Sequence, residues 1–176
     1  MAAQRNRLAA GCETLNRRPV LRRIVCGGQT GVDRAALDAA LAAGFACGGW
    51  CPRGRQAEDG PIPEHYPLIE ADSADPAQRT ELNVRDSDAT LIITSLPLCG
   101  GTRLAAEIAD RLGRPTSVID VDSTGLDAAI DQVCRFLIAY RIGTLNVAGP
   151  RDSEAPAAGV FAGKLIDAVL ERVFRA

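Results

Sequence analysis

The chain has 176 residues, 47% apolar and 24% charged, with a net charge of -2, which fits one globular domain and excludes disordered and fibrous classes. No apolar run approaches the roughly 18 residues of a membrane helix, and four Phe, two Tyr and one Trp are too few for a stacking platform for single-stranded nucleic acid. The single histidine, His65, leaves no polyhistidine metal site and argues against a Ser-His-Asp triad.

Residues 1–23 carry six Arg and one Glu, so the head is net +5 and the remainder net -7. Residues 1–20 read as a flexible basic tail ahead of one domain spanning 21–176. An Arg-rich, acid-poor start also suits an organelle transit peptide, the less favoured reading. No apolar segment of a secretion signal precedes the domain. The six cysteines (12, 26, 47, 51, 99 and 134) lack CxxC spacing. They therefore read as mostly reduced, packed thiols of a cytoplasmic protein. Cys51, in a Gly-rich loop, is the one to test for reactivity, although a small buried hydrophobe is the favoured reading.

Leu21–Cys26 reads as a strand that runs into Gly27-Gly28-Gln29-Thr30-Gly31. An Ala-rich helix follows from about Val32 to Ala43, stopped by Gly44. Phe45–Gly48 is a short strand, 49–65 a long loop, and Tyr66–Glu70 a further strand. Asp75 to Val84 looks helical. Ala89–Ser95, apolar and β-branched throughout, reads as a strand buried on both faces. It opens into Leu98-Cys99-Gly100-Gly101-Thr102 and a helix to Leu112. Thr116–Val121 is a strand, and Asp122-Ser123-Thr124 offers caps for a helix towards Tyr140. Thr144–Ala148 is the last strand, followed by Gly149-Pro150-Arg151. The final helix carries Phe161, Leu165, Val169 and Val173 at steps of four, with Ile166, Leu170 and Phe174 alongside. Alternating strands and helices predict an α/β, doubly wound, Rossmann-like domain: a mostly parallel sheet with helices on both faces.

In such a sheet the three Gly-containing turns share one rim, where ligands bind. Two of them lead into helices, whose free first amides and positive dipole end suit phosphate or carboxylate. The candidate ligand-binding residues are therefore Gly27, Gly28, Gln29, Thr30, Gly31, Gly100, Gly101, Thr102 and Gly149. Arg34, Arg103 and Arg151 can supply charge and paired donors. Neither the G-x-G-x-x-G nor the P-loop pattern is present. In the loop 48–63, Arg53 and Arg55 can meet an oxyanion, and Trp50 offers a face to a flat ring. Glu58 and Asp59 can bind a ring N–H or a metal, or simply pair with those arginines. Arg79 and Asn83 lie one helical turn apart and would be polar ligands if their face looks at the crevice. Asp33 is explained by the helix dipole alone. Constellations for a bound metal are lacking, and none is expected.

Gly27–Asp38, the Gly48-Gly49-Trp50-Cys51-Pro52-Arg53-Gly54-Arg55 loop, Arg79-Thr80-x-x-Asn83 and Leu145–Arg151 closely resemble the molybdenum cofactor carrier family. The resemblance spans roughly residues 23–175. It implies a Rossmann-like fold related to lysine-decarboxylase-like, cytokinin-activating phosphoribohydrolase domains. It also implies a nucleotide-binding type of site, a homo-oligomer, and a phosphorylated pterin cargo. The phosphoribohydrolase relatives look like Pro-Gly-Gly-x-Gly-Thr-x-x-Glu, with that Glu catalytic. Here position 105 is Ala. Glu107 lies two positions on, about 200° around the helix.

Three functions follow. One is a carrier or sensor for a phosphorylated ring compound, either molybdenum cofactor or a nucleotide, with phosphate on the amides of Gly28–Gly31 and Gly100–Thr102 and the ring towards Trp50. Another is a phosphoribohydrolase-type enzyme acting on nucleoside monophosphates, for which Glu58, Asp59 and Asp88 are the available acids. A third is a structural oligomer with vestigial loops. The partners expected are a phosphorylated small molecule and further copies of the chain, with neither nucleic acid nor membrane.

Overall fold

The computed structural model describes residues 20–175, so the expected tail falls almost wholly outside the described residues. Among the described residues, eight strands and five helices follow in order: β1 (Arg23–Val25), α1 (Val32–Ala42), β2 (Cys47–Cys51), β3 (Gln56–Ala57), β4 (Gly60–Pro61), β5 (Leu68–Glu70), α2 (Pro76–Arg85), β6 (Ala89–Thr94), α3 (Gly100–Arg111), β7 (Thr116–Asp120), α4 (Leu126–Ala139), β8 (Thr144–Ala148) and α5 (Pro156–Arg175). Six strands form one sheet in the order β5-β2-β1-β8-β6-β7, parallel at every pairing, while β3 and β4 make a small separate hairpin. The fold is the expected α/β Rossmann-like one.

Local chemistry explains the boundaries. Gly44 ends α1 at φ 64°, with its amide on the Leu41 carbonyl and that of Phe45 on Ala40. Asp75 caps α2, its carboxylate accepting from the Ala77 amide at 2.9 Å, and Pro76 stands at the first helical position. The expected cap of α4 is corrected. Asp122-Ser123-Thr124 forms a turn on the Asp120 carboxylate, which accepts from the Ser123 hydroxyl and the Asp122 amide, and Gly125 starts the helix. The strand expected at Phe45–Gly48 lies two residues later, because Gly48 and Gly49 are strand residues here. At Gly49 an added Cβ would stand 2.3 Å from the Cys26 carbonyl oxygen, so only glycine lets β2 approach β1 this closely.

Helices α1, α4 and α5 cover one face. Their Val32, Ala36, Val133, Leu137, Leu165, Ile166 and Val169 bury against Ile24, Leu91, Ile93, Leu145 and Val147 of the strands. The stripe read on the last helix is this docking face, except that Phe174 is exposed and meets Phe45 edge-on. Helices α2 and α3 pack together on the other face through Val84, Ile108 and Ala109. No helix among the described residues is long and apolar enough to cross a membrane.

Candidate functional site

The chain leaves β1 and β8 towards helices on one face and leaves β6 towards α3 on the other. The switch point therefore lies between β8 and β6, at their carboxyl ends. A cleft of about 200 Å³ opens there, bounded by Gln29 and Asp33, by Arg79 and Thr80 at the start of α2, by Gly101, Thr102 and Ala105 of α3, and by Gly149, Arg151 and Glu154. All three glycine turns thus reach one cleft, as strand parity and helix placement require.

The first turn is built around Asp33, a residue that sequence reasoning gave only a dipole role. Its side chain is 4% exposed. Its Oδ2 accepts from the Gly27 amide at 3.1 Å, the Gln29 amide at 3.3 Å and Arg79 Nη1 at 3.4 Å. Burial raises the Asp33 carboxyl above its ordinary value, opposed by Arg79 and by those amides. The only signal in the sequence is an acid six residues beyond the first glycine, which a first helical turn folds back over the loop.

Within the turn expected to hold phosphate at Gly28–Gly31, two amides are engaged inside the protein. The Gln29 amide serves Asp33, the Thr30 amide donates to Gln29 Oε1 at 3.0 Å, and Val32 donates to the Pro150 carbonyl. The start of α3 differs, since no side chain caps its first turn, which contains Gly100, Gly101 and Thr102. Uncapped amides at a positive dipole end are an anion-binding arrangement.

Arg79 faces them across the cleft. Among the described residues its Nε is the one buried side-chain polar atom without a hydrogen-bond partner. A buried donor left unpaired costs on the order of 1–3 kcal/mol. The expected pairing of Arg79 with Asn83 as ligands splits. Asn83 is 2% exposed and clamps the backbone of Trp50, accepting from its amide at 2.8 Å and donating to its carbonyl at 2.9 Å. Trp50 itself does not line the cleft. Its indole N–H donates to Asp86 at 2.9 Å, at the far end of α2.

The other expected residues divide similarly. Arg151 lines the cleft, 3.1 Å from Glu154 and 3.9 Å from Glu58. Arg103 is turned outward and pairs with Glu107 at 3.4 Å. Arg53 is exposed, and Arg34 pairs through its two terminal guanidinium nitrogens with Asp59, one bond at 2.7 Å. Gly31, at φ 76°, lets the turn pass beneath Pro150 and Arg151. Gly28, at φ 77°, packs against Leu68, where a Cβ would stand 2.4 Å from Cδ1.

Of the three acids considered, Glu58 is a latch. Its carboxylate accepts from the Thr30 and Ser153 hydroxyls and from the Ser153 amide, while its own amide donates to Gln29 Oε1. The Ser153 hydroxyl, then that of Thr30, holds it below the usual carboxylate range. Asp59 is held low by Arg34. Asp88 precedes β6 and binds the Gly143 and Thr144 amides at 2.9 and 2.8 Å, on the sheet rim opposite the cleft. That position removes it from any chemistry there. Ala105 lines the cleft and brings no acid to it. Cys51 is fully buried beside Leu37 and Tyr66, and burial raises its thiol, which matches the hydrophobe reading. No metal-binding cluster of His, Cys, Asp or Glu occurs among the described residues.

The chain superposes with a TM-score of 0.87 on the crystal structure of a "putative molybdenum carrier protein" from Syntrophus aciditrophicus SB. The two are 39% identical over 89% of this chain and 99% of that one. No curated protein matches the chain. Residues 24–170, from β1 to the last turns of α5, match the circularly permutated YpsA SLOG family. With the matching fold and the near-complete overlap with its relative, the chain belongs to the circularly permutated YpsA SLOG family.

Proposed function

We propose that the protein is a binding or carrier protein for a phosphorylated ring compound, with molybdenum cofactor as the cargo and the phosphate end held in the cleft. The observation that carries this reading is the cleft that Arg79, Arg151 and the uncapped start of α3 line together. A phosphate in the cleft meets the two guanidinium groups and the dipole end at the same time. The described relative, named for molybdenum carriage, supports the choice of cargo. At about 200 Å³ the cleft is smaller than the roughly 300–1,000 Å³ of sites that enclose a whole drug-sized ligand. It therefore holds the phosphate end, and the ring extends beyond it.

Carriage is favoured over hydrolysis because Ala105 stands where the hydrolase acid belongs, and Glu58 is bound to two hydroxyls. Calorimetry and native mass spectrometry of the full chain test the reading, with a molybdenum cofactor preparation, nucleoside monophosphates and inorganic phosphate as ligands. Saturable binding with no release of free base is the expected result. Absence of binding by every one of them, with the protein folded, overturns it. Release of base from a nucleoside monophosphate moves the protein to the enzyme class. The same spectra give the number of copies in the expected homo-oligomer.

A further inference from the structure

The Asp33 carboxylate has two unlike oxygens. Oδ2 takes the Gly27 amide, the Gln29 amide and Arg79 Nη1. Oδ1 takes no hydrogen bond from the described residues, and Asp33 is one of the residues that line the cleft. The small exposed part of Asp33 borders the cleft that Arg79, Thr102 and Arg151 share. An anion drawn in by the guanidinium of Arg79 therefore meets an open carboxylate lone pair on the same wall.

We propose that Asp33 makes the cleft selective for an oxyanion that carries its own proton, hydrogen phosphate or a singly ionised phosphate ester, against bare dianions such as sulfate and molybdate. The inference rests on the anion-binding reading above and specifies the chemistry of the anion. A phosphate O–H directed at Oδ1 makes a short, charge-assisted hydrogen bond. A bare sulfate or molybdate oxygen in the same place sets lone pair against lone pair and leaves the carboxylate unpaired. Sites built to receive a donor reject analogues that lack it, by far more than apolar contacts can. A phosphate monoester gives up its last proton at a pH of about 6 in water, and Asp33 favours its retention. A cargo that bears both a phosphate and metal-bound oxygens is then taken by its phosphate.

Calorimetry of the full chain with inorganic phosphate, sulfate and molybdate at one pH near 7.5 tests this, in the natural protein and in Asp33→Asn. Asparagine keeps an oxygen for the two loop amides and puts an N–H where Oδ1 stood. The natural protein is expected to bind phosphate roughly 10- to 100-fold more tightly than either dianion. In Asp33→Asn the gap is expected to close to within about threefold or to reverse. Equal affinities in the natural protein overturn the assignment to Asp33 while leaving the anion site standing, as does discrimination that survives the substitution. Failure of all three anions to bind overturns the anion site and this inference together. Should Asp33→Asn not fold, the comparison of anions on the natural protein decides alone.

Discussion

The guanidinium of Arg79 lies directly on the backbone of Gly27, where an added Cβ would stand 1.9 Å from Nη1 and 2.4 Å from Cζ. The absent side chain of one residue is the seat of the other. The atoms in the way belong to the far end of a flexible side chain, so Gly27→Ala is expected to fold with a loss of stability of only about 1 kcal/mol. Binding of inorganic phosphate is expected to fall at least tenfold, because Arg79 is displaced from the cleft. Calorimetry and thermal melting on one preparation check both. Unchanged affinity removes Arg79 from the site.

Two other glycines separate packing from binding. At Gly149 an added Cβ would meet the Ile93 carbonyl oxygen at 2.4 Å and Val32 Cγ2 at 2.5 Å, both in rigid elements. Gly149→Ala is expected to lose about 1–3 kcal/mol, read as a lower denaturation midpoint at constant slope. At Gly101 nothing lies within 4 Å, and the residue borders the cleft. Gly101→Ala is expected to melt no lower than the natural protein and to bind phosphate more weakly.

Asn83 holds the edge of β2 by replacing a strand partner for Trp50. Asn83→Ala strips acceptor and donor from the Trp50 amide and carbonyl. The expected loss is about 1–3 kcal/mol in chemical denaturation. The affinity of the folded fraction for phosphate is expected to stay within about twofold, which separates Asn83 from Arg79 although both share α2.

The Glu58 latch titrates only in acid. The Ser153 and Thr30 hydroxyls depress its carboxyl. The latch is therefore complete above the unfolded value of about 4.3, and it is lost as pH falls through the lower folded value. Hydrogen exchange over residues 53–60 is expected to show constant protection from pH 8 to about 5, once corrected for intrinsic rate, with opening only below about pH 4. Glu58→Ala is expected to show the open behaviour at every pH, and closed behaviour in that variant removes the latch.

Much of the architecture was legible because β6 is a nearly continuous apolar, β-branched run and α5 carries a clean stripe. Periodicity reports such burial directly. The rim shared by the three glycine turns followed from parallel pairing alone. Less legible were features that depend on partners distant in sequence. Asn83 and Arg79 share a helix side, yet one is claimed by β2 and the other by the first turn. Arg103 pairs within its own helix instead of reaching the cleft. Asp33 was the largest omission, because a carboxylate in a first helical turn satisfies the dipole and signals nothing more. Only the turn folding back onto it shows what it holds. The loop 48–63 contains the end of β2 and the β3–β4 hairpin, whose two-residue strands are too short for alternation to register.

The last strand of the chain, β8, lies in the middle of the sheet, hydrogen-bonded to β1 on one side and β6 on the other. During synthesis, everything through β7 emerges while the keystone is still missing, and two half-sheets expose bare inner edges. Completion of the sheet thus waits on β8, and a nascent chain stalled before Thr144 would be a sticky pair of half-sheets that only this strand can zip together.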